Sequence, residues 1–120
     1  MPMTYRVDGE RHLVLVALTG IVTLEEIAAV LEGNRGLPLD DRWRELVDVS
    51  EMTELAASGT HLQQLAQVAT APRFGRVAII APNPLTFGLA RMYALSAGAE
   101  NVQVFHELAD AETWLQATAS

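Results

Sequence analysis

The sequence has no cysteine and no lysine; all eight of its basic residues are arginine. Without thiols there is no disulfide, no thiolate nucleophile and no cysteine metal site. Without lysine there is no Walker-type phosphate lysine, no Schiff base and no lysine general base. Positive charge is scarce overall. Eight arginines against 15 acidic residues leave a formal net charge of −7. That opposes nucleic-acid binding, which phosphate neutralisation drives, and it opposes docking on an anionic membrane. His12, His61 and His106 are scattered along the chain, so no local zinc signature exists, and neither a metal nor another cofactor is expected. Long apolar runs are missing as well. The longest, Leu13 to Leu18, falls far short of the roughly 20 residues a bilayer-spanning helix needs. Asp8 and Glu10 stand where a secretory signal would carry basic residues. A cytoplasmic protein without a membrane span is the expectation.

What is present is a chain of 120 residues, half of them apolar. That composition is too apolar for disorder and suits one folded domain over residues 1–120. Met3 to Val7 alternates weakly, and Asp8-Gly9 signals a hairpin through a type I′ turn. His12 to Thr19 then runs without a polar break inside it, as an inner strand covered on both faces does. Thr23-Leu24-Glu25-Glu26 is a capping box, with Val22 and Ile27 as its hydrophobic staple. The helix it opens carries Leu24, Ile27, Ala28 and Leu31 on one face and stops near Gly33-Asn34.

Glu45 to Val49 reads as the next strand, with Val47 and Val49 on one face. An acidic, hydroxyl-dotted loop follows, from Ser50 to Gly59. Thr60 to Ala71 is helical in pattern, Arg76 to Ala81 is a second inner strand, and Asn83-Pro84 starts another helix. That helix carries a stripe of Leu85, Leu89, Met92 and Tyr93, and its Gly88 suggests close packing on the sheet. Val102 to Phe105 alternates as an edge strand does, and Ala109 to Ala117 is the last helix. The order is β-β-α-β-α-β-α-β-α. It predicts an α/β fold: a mixed sheet of about five strands, an N-terminal antiparallel hairpin, then parallel strands joined by right-handed crossovers.

With its elements placed, the chain resembles the STAS domain, the SpoIIAA-like fold of anti-sigma-factor antagonists, in the branch grouped with CRAL-TRIO lipid-binding domains. The resemblance runs from about Tyr5 to Leu115. It rests on Gly20-x-Val22-Thr23, on Leu46-Val47-Asp48-Val49-Ser50 with Thr53 beyond, on Phe87-Gly88-Leu89-Ala90-Arg91-Met92, and on Val104-Phe105 with Ala111 and Trp114-Leu115. In regulatory members the loop after the third strand continues into Asp-Ser-Ser-Gly, and a partner kinase phosphorylates a serine there. The matching positions here are Ala56-Ala57-Ser58-Gly59. The resemblance implies Ser58 as a candidate phospho-switch, with the accompanying Asp and Ser replaced by alanine.

The residues leave three roles open for Ser58: helix cap, phosphorylation site, or contact for an anion at a helix N-terminus. Asp48 ends an inner strand, where open α/β sheets collect ligands; an Asx-type loop bond is its structural alternative. Asp48, Ser58, Gly59, Asn83 and Thr86 are the candidate lining of one ligand or interaction crevice. No catalysis is expected. Ser58 and His61 lie three residues apart at a helix start, and no Gly-x-Ser-x-Gly elbow supports a triad with Asp48. Two functions follow. One is a regulatory or interaction module with a protein partner or a second copy. The other is a carrier or sensor for a small lipid-like or anionic ligand. A closed apolar cavity beside the Leu85–Leu95 helix favours the carrier; a filled core with an exposed apolar face favours the module.

Overall fold

Backbone pairing begins where the sequence places it, in the hairpin. The computed structural model describes residues 3–98 and 100–117. In chain order its elements are β1 (Met3–Asp8), β2 (Leu13–Leu18), β3 (Gly20–Thr23), α1 (Leu24–Arg35), β4 (Arg44–Asp48), β5 (Met52–Ala56), α2 (Gly59–Gln67), β6 (Arg76–Ile80), α3 (Pro84–Ser96), β7 (Val102–Phe105) and α4 (Leu108–Gln116). A five-stranded sheet has the order β1-β2-β4-β6-β7. β1 is antiparallel to β2, and the remaining pairs are parallel. This is the mixed α/β sheet the alternation of elements predicts.

The hairpin turn differs from the expected type I′. Asp8 pairs with Leu13, so Gly9 to His12 form a longer loop. The Asp8 carboxylate accepts the Arg11 N–H at 3.1 Å, and the positive φ falls on His12, at 51°, not on Gly9. An aspartate that bonds the backbone just ahead of it organises a loop without two consecutive left-handed residues.

Two strands escape the sequence pattern. β3 and β5 pair in parallel as a separate two-stranded sheet. β3 follows β2 after Thr19, at a kink where Gly20 takes φ 65°, so it reads as the end of one strand and the cap of a helix. β5 carries exposed Thr53 and Glu54 between half-buried Met52 and Leu55, so it reads as an acidic loop. The stretch from Glu45 to Gly59 is therefore strand, turn and second strand before its helix begins.

The capping box is present at α1. Thr23 Oγ1 accepts the Glu26 N–H at 3.3 Å, and Glu26 Oε1 accepts the Thr23 N–H at 3.0 Å. α2 is shorter than its periodicity suggests and ends at Gln67, with a single 3₁₀ turn over Ala71–Arg73. Asn101 holds that turn by donating to the Ala71 and Phe74 carbonyls at 2.9 and 2.7 Å.

α1, α2 and α3 lie on the face of the sheet formed by Val14, Val16, Leu18, Val77 and Ile79. α4 lies on the other face, where Ala111 and Leu115 pack on Ala78 and Ile80. Arg44 and Arg76, neighbours in register on β4 and β6, hold the end of α4. Arg44 Nε donates to the Leu115 carbonyl at 3.2 Å; Arg76 donates to the Trp114 carbonyl and lies 5.0 Å over its ring. Cations at a helix C-terminus also meet the negative end of its dipole. Because α4 packs on β6 and β7, β2 is not covered on both faces as its apolar run suggests. Leu13 and Leu15 remain half-buried beside Leu46 in an open groove rimmed by Arg11, Arg42 and Arg44.

α3 also departs from its predicted stripe. Leu89 and Tyr93 turn inward with Thr86 and Ala90, but Leu85 is 70% exposed. Gly88 is exposed, and a Cβ there meets nothing within 4 Å, so close packing on the sheet does not explain it. Gly88→Ala is therefore expected to raise stability by about 1 kcal/mol, the helix-propensity difference. The measurement is a higher urea midpoint at unchanged m-value.

Candidate ligand-binding cavity

Side chains that alternate along a strand put one set on the helix side and the other on the α4 side. On the helix side, Val16, Val47 and Ile79 form a floor of β-branched residues. α1 covers it with Ile27, Val30 and Leu31, α2 with Leu62, and α3 with Thr86, Leu89, Ala90 and Tyr93. The helices do not fill the space they cover. A cavity of about 120 Å³ remains between them and the sheet. α3 is the least embedded wall, because Thr86 is the single residue it buries fully.

One end of this apolar space is polar. Glu45, near the start of β4, shares the inner face with Val47 and is only 6% exposed. Asn34, in the last turn of α1, is completely buried. Its Nδ2 donates to Glu45 Oε2 at 3.0 Å and to Thr70 Oγ1 at 3.1 Å. Its Oδ1 accepts the Tyr5 hydroxyl at 2.6 Å. Both amide hydrogens and the amide oxygen are thus engaged, which makes Asn34 the hub of the cluster. Among the described residues, no hydrogen bond reaches Glu45 Oε1 and no cation pairs with this carboxyl.

The electrostatics follow from burial. Removal from water disfavours the carboxylate and raises the Glu45 pKa to about 7, against the downward pull of the Asn34 hydrogen bond. Burial, with Glu45 nearby, pushes the Tyr93 phenol up to about 12. The same two causes raise Tyr5. The ion pairs Arg11–Asp8, Arg35–Glu32 and Arg42–Asp40 lie on the surface, away from this cluster. Among the described residues, no group of three or more His, Asp or Glu side chains is placed to hold a metal.

Of the residues singled out from sequence, only Thr86 lines the cavity. Ser58 caps α2: its Oγ accepts the His61 N–H at 3.1 Å. Gly59 is the first residue of that helix, and both are exposed. Asn83 caps α3 by accepting the Thr86 N–H at 2.9 Å. Asp48 Oδ1 accepts from the Ser50 N–H at 2.9 Å and the Ser50 hydroxyl at 2.5 Å, an Asx-type turn. It lies an odd number of residues from Glu45 and so points to the opposite face of β4. The structure does not gather the five into one crevice.

Sequence reading missed Glu45, Asn34, Thr70 and Tyr93 as a group. One signal was available: Glu45 has the same parity as Val47 and Val49, which places a carboxylate on the inner face. The hydrogen-bonding hub had no such signal, because a helix-terminal Asn reads as a stop.

No family model matches the chain, and no curated protein matches it. Among solved structures, an uncharacterized protein of the DUF3478 family from Shewanella loihica PV-4, described as having a SpoIIAA-like fold, is similar to it. The two share 20% sequence identity over 94% of this chain and 93% of that one, with a TM-score of 0.66. The chain has a SpoIIAA-like fold.

Among the described residues, no helix is long and apolar enough to cross a membrane.

Proposed function

We propose that the protein is a non-catalytic binding module, residues 1–120 acting as one unit, that carries or senses a small, largely apolar ligand. The supporting observation is the cavity beside α3, apolar along its walls and ending on a buried carboxyl. A dry, aliphatic cavity of about 150 Å³ suffices to bind benzene or xenon, so a space of about 120 Å³ suits a ligand of a few heavy atoms. A longer ligand would extend past α3, the wall with the least buried surface. The residues that close the space, Leu62, Leu89 and Ile27 among them, offer dispersion and burial but no nucleophile.

A second reading, an interaction module, is favoured by the groove over Leu13, Leu15 and Leu46. Arg11, Arg42 and Arg44 rim that apolar floor with Glu112 and Gln116, an excess of arginine over acid in a chain of net charge −7, which suits an acidic, partly apolar partner segment. Ser58 would serve such a module as a modification site only by giving up its cap.

Methyl NMR with benzene as the probe tests the cavity reading. Saturable shifts are expected at Val16, Val30 and Leu89, and they should vanish in Ala90→Leu, whose larger side chain fills the space. No shift at these methyls in the folded wild-type protein would overturn it.

A further inference from the structure

We infer that the Glu45 end of the cavity takes ligands with a neutral or cationic polar head, such as an alcohol or an amine, and rejects carboxylates. This rests on the cavity binding a ligand at all. The polar and charged groups at that end carry it. Asn34 is the one amide in the cluster, and its two N–H bonds go to Glu45 Oε2 and Thr70 Oγ1. The Tyr5 O–H goes to Asn34 Oδ1. Glu45, Thr70 and Tyr93 all line the cavity. The two hydroxyls can donate or accept, and the carboxyl carries the only charge the set can develop.

A neutral or cationic head fits beside that carboxyl, whereas an anionic head meets a second carboxyl group. No arginine or histidine lines the cavity among the described residues, so nothing compensates an anion there. The groups that face Glu45 are Tyr5 from β1, Asn34 from α1, Thr70 beyond α2 and Tyr93 from α3, and none of them is a cation. Burying a carboxylate ligand against this surface costs its hydration with no ion pair in return.

The two heads separate by pH. An ammonium pairs with the ionised carboxyl, so its affinity rises as Glu45 loses its proton near pH 7. An alcohol bonds to either form and changes little.

The experiment uses the intact protein and four probes: benzene, butan-1-ol, n-butylamine and butyrate, each titrated by methyl NMR at pH 6 and pH 8. At pH 8, butylamine or butanol is expected to bind at least about tenfold more tightly than butyrate, the scale of a hydrogen bond to a charged group. Glu45→Gln is expected to remove the rise of butylamine affinity with pH. That variant is isosteric, and its methyl spectrum without probe reports an intact fold. If benzene binds and butyrate binds as tightly as butanol and butylamine, the exclusion of carboxylates is wrong while the cavity reading stands. If benzene does not bind either, the cavity reading falls and this inference with it.

Discussion

Glu45→Gln is expected to make the protein more stable above pH 7 and to flatten its stability between pH 4.5 and pH 7. The carboxyl has an ordinary pKa of 4.5 when exposed in the unfolded chain and about 7 when folded. Between those values the folded state holds a proton that the unfolded state has released. Stability is then greatest below the unfolded value, falls as pH rises, and levels off once the folded carboxyl ionises. Each tenfold change in proton affinity is about 1.4 kcal/mol, so the whole fall is about 3 kcal/mol. Gln keeps an oxygen for the Asn34 N–H and carries no titrating proton. Urea unfolding of both proteins from pH 4 to pH 9 measures the difference, in which the other titrating groups cancel. Parallel curves would show that Glu45 is not desolvated in the folded state.

Asn34→Ala is the second large effect. The side chain is fully buried and engages Glu45, Thr70 and Tyr5 at 3.0, 3.1 and 2.6 Å. Alanine strands the Glu45 and Thr70 groups inside the protein, at about 1–3 kcal/mol each. Tyr5 is half-buried, so its hydroxyl can turn to water and adds less. The net loss is expected to be about 3–5 kcal/mol. A second readout separates the hub from a plain packing defect. The Asn34 bond lowers the Glu45 pKa, so its removal shifts the pH-dependent loss of stability upward, above pH 7. A destabilised variant with an unmoved pH transition would deny Asn34 its role as the partner of Glu45.

Both predictions concern residues that the chain's local patterns do not mark as a site. The patterns do mark the frame. Thr23 and Glu26 specify the start of α1 by themselves, because a capping box closes within one turn. Asn83-Pro84 likewise specifies the start of α3, and the run from Leu13 to Leu18 specifies an inner strand. These signals need only neighbouring residues, so they survive without the rest of the molecule. The SpoIIAA-like order of elements is legible for the same reason.

Signals that depend on distant residues are not legible from local pattern. Met52–Ala56 looks like an acidic loop until Gly20–Thr23 pairs with it. Gly88 looks like a close contact until α3 is placed with that position outward. Ser58 draws the eye because its motif is local, and its cap is local as well.

By itself, then, the sequence determined the alternation of strands and helices, three of the helix starts, the arginine-only basic set and the acidic balance of −7. Each is a property of composition or of residues within a turn of one another. Only the tertiary structure decided that α1, α2 and α3 cover one face and α4 the other, that a space remains under the three, and that Glu45 ends it beside Asn34 and Thr70. Those side chains lie 11 and 36 positions apart along the chain from Asn34. Nothing in local periodicity links them; the sheet register and the helix packing bring them together, and burial then turns an ordinary carboxylate into a proton-holding one.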